Sequence, residues 1–143
     1  PERAGGLPSG ALIKMCYESG LTEAEMRKKI VGNGGFNAYL GTNDARDVEK
    51  RVNEGDKEAT LIRDAFVYQM SKNIGAMAAV LSGKVDAIIM TGGIAYDKAI
   101  TQMISDRVSF IAPVKLYPGE DELLALAQGA LRVMNGEEEA KAY

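Results

Sequence analysis

Histidine and tryptophan are absent from this 143-residue chain, and cysteine occurs once. Without histidine there is no imidazole to serve as a general base near neutral pH or to ligate zinc, so chemistry built on that side chain is excluded. A lone thiol, Cys16, rules out an internal disulfide framework and suits a reducing compartment. Because Cys16 lies in an apolar helical stretch, it is expected to be buried and inert. No apolar run approaches the roughly 20 residues of a membrane-spanning helix. Basic charge is not in excess either: 17 Lys and Arg against 20 Asp and Glu leave a net charge of −3, which offers no footprint for nucleic acid or an anionic membrane. What is present is a 46% hydrophobic composition, enough for one ordinary core in a single domain or part of a larger one.

The most informative stretch runs from Val85 to Tyr96, where the apolar Val85-Asp86-Ala87-Ile88-Ile89-Met90 breaks at Thr91-Gly92-Gly93 before a helical pattern resumes. A near-continuous apolar run is what a parallel strand covered on both faces looks like, and the carboxyl end of such a strand opens into the crevice where α/β proteins bind ligands. Adjacent glycines remove the Cβ atoms that would keep a ligand at a distance. By itself the motif is compatible with two roles, punctuation of the fold and contact with a nucleotide.

Periodicity around that stretch predicts mostly helix. Ala11–Tyr17 has helical spacing and Gly20 ends it; Thr22 and Glu25 have capping-box spacing for a second helix whose far end carries Lys28 and Lys29. Val31–Gly35 reads as a flexible turn cluster, Phe36–Leu40 as a short extended piece, and Gly41-Thr42-Asn43-Asp44 as a turn and cap for a helix through about Val52. The longest helix is expected over Lys57–Leu81, with Ile62, Phe66, Met70, Ile74, Met77 and Leu81 as its buried stripe. After the glycine pair, Ile100, Met103 and Ile104 mark a further helix ending near Arg107. Val108–Tyr117 is a β-rich run broken by Pro113, and Pro118-Gly119 turns into a last helix with Leu123, Leu126, Ala127, Ala130, Leu131 and Met134 as its buried stripe. Strand, helix, strand, helix is α/β organisation, here preceded by a helical half with too few strands to complete a sheet. Together with an opening Pro1–Gly10 that reads as a loop entered halfway through, this creates the expectation of a fragment.

Three further groups can carry chemistry. Arg3 in its glycine-rich loop is either a surface arginine or a fork for a carboxylate or phosphate. Asn43-Asp44-Ala45-Arg46 is either a capped surface helix with a local ion pair or a holder of base and ribose. Glu120-Asp121-Glu122 either complements a helix dipole or supplies a carboxylate beside magnesium-bound phosphate.

In order along the chain, Arg3-Ala4-Gly5-Gly6-Leu7-Pro8-Ser9-Gly10, Gly41-Thr42-Asn43-Asp44-Ala45-Arg46-Asp47, Val85–Tyr96, Ser109-Phe110-Ile111-Ala112-Pro113 and Tyr117-Pro118-Gly119-Glu120-Asp121-Glu122 resemble the C-terminal part of the acetate and butyrate kinase family, on its butyrate kinase side. The resemblance runs from Pro1 to the closing Glu137-Glu138-Glu139-Ala140-Lys141-Ala142-Tyr143. It implies an α/β fold, the C-terminal actin-like (ribonuclease H-like) ATPase domain, helix-rich with few strands, over residues 1–143, with the N-terminal domain absent. The implied activity is reversible transfer of the ATP γ-phosphoryl group to the carboxylate of butyrate, in a cytoplasmic homo-oligomeric enzyme whose partners are small molecules, with ATP and Mg2+ as cofactors. The fragment alone is expected to be inactive. A branched-chain or propionate-type acid kinase, or a non-catalytic nucleotide-binding or oligomerisation domain, are the alternatives.

Residue by residue, the resemblance sets Arg3 against the transferring phosphoryl group and Asn43, Asp44 and Arg46 beside ribose and base. Gly92, Gly93 and Ile94 match the adenosine loop, and Glu122, with Glu120 close by, matches a glutamate tied to magnesium. Ala45 stands where acetate kinases carry a larger apolar residue, which removes a stacking surface for the base.

Overall fold

A computed structural model describes residues 1–119 and 121–140. Its elements are α1 (Ser9–Glu18), α2 (Glu23–Ile30), α3 (Gly35–Leu40), α4 (Ala45–Asn53), α5 (Lys57–Val80), β1 (Ile88–Gly92), a 3-10 turn (Gly93–Tyr96), α6 (Lys98–Val108), β2 (Val114–Pro118) and α7 (Glu122–Met134). No helix among the described residues is long and apolar enough to cross a membrane.

Local chemistry sets most boundaries. Thr22 caps α2 through a reciprocal box, its hydroxyl accepting from Glu25 N and the Glu25 carboxylate accepting from Thr22 N at 2.8 Å. Asp56 caps α5 by accepting from the amides of Glu58 and Ala59. The 24-residue α5 is the spine, with α3, α4 and α6 packed along it.

The α6 crossover joins β1 to a parallel β2, Ile88 beside Val114 and Gly92 beside Pro118. Pairing begins at Ile88 and not at Val85, because Pro113 has no amide to extend the ladder and only its carbonyl takes the Ile88 N–H, at 2.9 Å. Ile88 and Met90 point into a core completed by Phe36, Val48, Val67, Ile100, Ile104, Val108 and Ala112.

Several expectations are corrected. Phe36–Leu40 is helical, not extended: Phe36 and Leu40 lie one turn apart and both reach the core, and Gly41 closes the helix in the left-handed region at φ 71°. Phe36 is fully buried against the Phe66 ring at 4.8 Å between centroids. β1 is covered on one face only, since Ile89 on the other face is 62% exposed. Along α5 the buried positions are Ala59 and Val67 with Ile62, Phe66 and Ile74 beside them, whereas Met70, Met77 and Leu81 are exposed. Cys16 is exposed as well, because α1 buries none of its side chains fully among the described residues. The apolar stripe of α7 forms at the expected spacing and stays exposed. Spacing determines which face of a helix is apolar; what covers that face is a separate matter.

Candidate functional site

Two segments remote in sequence face each other across a cleft of about 1430 Å³. One wall is the polar face of α4, where Arg46, Glu49, Lys50 and Asn53 recur at helical spacing and turn away from the core face of Ala45, Val48 and Val52. The other is the turn after β1, from Thr91 through Ile94 to Tyr96 and Asp97.

The α4 wall is organised from its first turn. Asp44 caps the helix by accepting from the Arg46 amide at 2.9 Å, and the Arg46 guanidinium folds back so that Nε donates to both Asp44 oxygens at 3.0 Å. Thr42 orders the approach, its Oγ1 accepting from the Asp44 amide at 3.1 Å and donating to Asp47 Oδ2 at 2.8 Å. Asn43 Nδ2 donates to Glu2 Oε2 at 3.3 Å. One turn along, Glu49 Oε1 accepts from Arg63 Nη1 of α5 at 3.2 Å, with the two side chains only 17% and 15% exposed.

Hydrogen bonding from the Arg46 side chain, then from its amide, lowers the Asp44 pKa from 3.8 to about 2. A depressed carboxyl pKa stabilises the capped turn above the unfolded value and loses that contribution as pH falls through about 2. The Asp44 side-chain carboxyl carbon is therefore expected to titrate by NMR with a midpoint near 2, moving back up toward 3.8 in Arg46→Ala. A midpoint near 3.8 in the unmodified protein would show that the fold-back pair does not persist in solution.

The opposite wall is backbone. Gly92 sits at φ 75°, ψ −172°, a conformation essentially confined to glycine, and a Cβ built there meets no atom within 4 Å. Its amide donates to Gly119 O at 3.1 Å and its carbonyl accepts from Gly119 N at 3.4 Å, so the end of β2 pins the turn while its outer surface stays open. Gly93 is exposed, and Ile94 packs partly against the core while lining the cleft. Asp97 closes this wall and caps α6 by accepting from Ile100 N at 2.9 Å.

Of the residues singled out from sequence, Asn43, Asp44, Arg46, Gly92, Gly93 and Ile94 all line this one cleft. Arg3 is exposed and stands outside its lining, although Pro1 is part of it. Glu122 lies at the first turn of α7 in a shallow groove with Ala125 and Leu126, apart from the cleft. Glu120 lies outside the described residues. No group of three or more acidic or cysteine side chains among the described residues is disposed to hold a metal ion. Glu49, Lys50, Asn53, Tyr96 and Asp97 were not singled out; the 46, 49, 50, 53 spacing counted from Arg46 was the available signal for three of them.

Residues 2–115 match the acetokinase family. Over all 143 residues the chain is 58% identical to butyrate kinase 2 and 54% identical to butyrate kinase 1 of Clostridium acetobutylicum, and 57% identical to a probable butyrate kinase 2 of Caldanaerobacter subterraneus. It spans 40% of the length of each of these curated relatives. In fold it is similar to an acetate kinase from Porphyromonas gingivalis, with a TM-score of 0.80 at 21% identity over 93% of this chain and 40% of that one. A propionate kinase from Francisella tularensis superposes with a TM-score of 0.72 at 20% identity over 85% of this chain and 37% of that one. The helix-rich α/β architecture with two parallel strands is thus that of part of an acetate kinase. With the family match extending from Glu2 to Lys115 and the fold in agreement, the chain belongs to the acetokinase family.

Proposed function

We propose that the chain is the C-terminal, nucleotide-binding portion of a butyrate kinase, which transfers the γ-phosphoryl group of ATP to butyrate. A carboxylate oxygen of the acid forms the new bond to γ-phosphorus as the bond to the β,γ-bridging oxygen breaks, giving butyryl phosphate and ADP, and the reaction is reversible. The observation that carries this reading is the convergence of Asn43, Asp44 and Arg46 with Gly92, Gly93 and Ile94 on one cleft. The relatives that match this chain throughout are named as butyrate kinases.

In this reading Asn43, Asp44 and Arg46 hold the ribose and base. The open backbone of Gly92 and Gly93 admits the adenosine closely, and Ile94 gives it an apolar surface. Asp44, fixed by Arg46, presents a carboxylate as acceptor for ribose hydroxyls. Arg3 faces the transferring phosphoryl group, because such transfer needs positioning and cationic stabilisation of the equatorial oxygens more than covalent help. Magnesium accompanies the nucleotide phosphates; Glu122, its candidate carboxylate, stands apart from the cleft, and the described cleft residues form no carboxylate cage for the ion. The same reading carries a homo-oligomeric assembly and a cytoplasmic location, which the single free thiol suits. The acid pocket and the remaining phosphate-holding groups belong to the other three-fifths of a full-length relative.

The test is the activity of the complete polypeptide carrying this chain, with ATP and acetate, propionate, butyrate or isobutyrate. Butyrate is expected to give the highest kcat/KM. Preference for propionate or isobutyrate would reassign the acid, and no transfer to any of them would leave a nucleotide-binding domain without this activity. The 143-residue chain alone is expected to form no butyryl phosphate in a coupled assay; turnover comparable to the complete polypeptide would overturn its assignment as the nucleotide-binding portion of a larger enzyme.

A further inference from the structure

The segment bearing Arg3 lies on two glycines that leave no room for any other residue. Glu2 O accepts from Gly32 N at 3.0 Å and from Gly34 N at 2.9 Å, Ala4 N donates to Ile30 O at 2.9 Å, and Arg3 pairs with Val31 as an isolated antiparallel bridge. Beneath this contact, a Cβ on Gly34 would stand 2.4 Å from Ala4 N and 2.7 Å from the Arg3 carbonyl carbon. A Cβ on Gly35 would stand 2.4 Å from Pro1 O and 3.0 Å from Arg3 O, in a residue already at φ 53°. All of these neighbours are backbone, so a side chain at either position must displace the segment itself.

The same glycines open α3, and Phe36, the next residue, is fixed in the core. At the other end of α3, Gly41 and Thr42 lead into Asn43 and Asp44 of the cleft wall. The rest of the short helix α3, with the Gly41-Thr42 turn, is therefore all that separates the seat of the Arg3 segment from the nucleotide motif. The Asn43 amide closes the circuit by donating to Glu2 Oε2 at 3.3 Å.

We propose that Gly34 and Gly35, with Glu2 tethered to Asn43, are positioning residues for Arg3: they set where its guanidinium stands relative to the bound nucleotide without touching the substrate. This rests on the acid-kinase reading given above. The glycine pair acts on the backbone either side of Arg3, so it governs the chemical step and leaves the adenosine contacts of α4 and the Gly92 turn in place, whereas the Glu2 tether ends on Asn43 and links the Arg3 segment to the nucleotide side.

The experiment is made in the complete polypeptide, with ADP binding by calorimetry and butyrate-dependent turnover measured on the same preparations. Gly34→Ala is expected to lower kcat about 100-fold, the scale of a misplacement of about 1 Å, with the ADP Kd within about threefold of the unmodified protein. In an Arg3→Ala background the same substitution is expected to add nothing further, because the group it displaces is gone. A folded Gly34→Ala protein with kcat within threefold of the unmodified protein overturns the proposal, as does full additivity with Arg3→Ala. If Gly34→Ala does not fold, Glu2→Ala and Glu2→Gln decide the matter: the first is expected to lose about tenfold in kcat and the second, which still offers Asn43 an oxygen, to recover it. Equal kcat in all three Glu2 forms overturns the proposal. An unmodified protein that phosphorylates no acid defeats the acid-kinase reading and this proposal with it, whereas an active protein indifferent to these substitutions defeats this proposal alone.

Discussion

Arg3→Ala in the complete enzyme is expected to lower kcat/KM for butyryl phosphate formation by about 1,000-fold while leaving the ADP Kd within about twofold. An arginine that meets the transition-state charge of a transferring phosphoryl group contributes about 10³- to 10⁵-fold in rate, and the lower end is about 4 kcal/mol of barrier. The lower end is chosen because phosphoryl transfer is generally stabilised by several cationic and dipolar groups acting on the same phosphate. Adenosine affinity is spared because the Arg3 side chain is exposed outside the lining formed by Asn43, Asp44, Arg46, Gly92, Gly93 and Ile94. Arg3→Lys restores the charge without the planar fork and is expected to recover only part of the loss. Unchanged kcat/KM in Arg3→Ala would remove Arg3 from the chemistry. A loss confined to ADP binding would move it to the nucleotide.

Much of the fold was legible where local chemistry acts alone. The Thr22–Glu25 box, the Asp44 cap and the start of α5 all lie where side chains satisfy the free amides of a first helical turn, an interaction that needs no partner from elsewhere. Phe36–Leu40 was misread because a short apolar stretch between glycines suits either a strand or a helix; the core contacts of Phe36 and Leu40 decide it, and these are tertiary. The apolar faces of α1 and α7 were read correctly as faces and wrongly as burial, since a sequence pattern does not supply the surface that covers it. The cleft divides in the same way. Asn43-Asp44-Ala45-Arg46 and Gly92-Gly93-Ile94 were each visible as a cap and a turn with two possible roles, and the family resemblance grouped them. The structure adds the facing geometry, with α4 turned so that its polar stripe faces the Gly92 turn across the cleft. Glu49 escaped notice because its significance depends on Arg63, a residue of another helix.

Arg63→Ala is expected to lower the free energy of local opening of α4 by about 2 kcal/mol, measured by native-state hydrogen exchange of its amides in the complete polypeptide. An exposed ion pair contributes at most about 1 kcal/mol, while removing one partner of a fully buried pair costs about 3–5 kcal/mol. At 15% and 17% exposure, Arg63 and Glu49 fall between these limits, whereas Asp64, the second partner of Arg63, is 46% exposed and can be solvated when the arginine is lost. Burial is the largest single influence and works against the Arg63 charge, but the hydrogen bonds that the guanidinium donates to Asp64 and Glu49, together with their opposite charges, outweigh it and the net effect raises its pKa. It is therefore Glu49 that suffers in Arg63→Ala, left in the cleft wall as a carboxylate with little water around it. That predicts a specific pattern across variants. Arg63→Ala should be worse than the double replacement Arg63→Met with Glu49→Leu, which removes the charge together with its partner and restores apolar volume. The ADP Kd should rise several-fold in Arg63→Ala, because a reoriented Glu49 disturbs the stripe that carries Arg46 and Lys50. If Arg63→Ala changes α4 opening by less than about 0.5 kcal/mol, as an ordinary surface substitution would, the pair is incidental and the α4 wall is held without it, by the packing of Ala45, Val48 and Val52 and the Arg51 bonds to Asp56 and to Leu40 O.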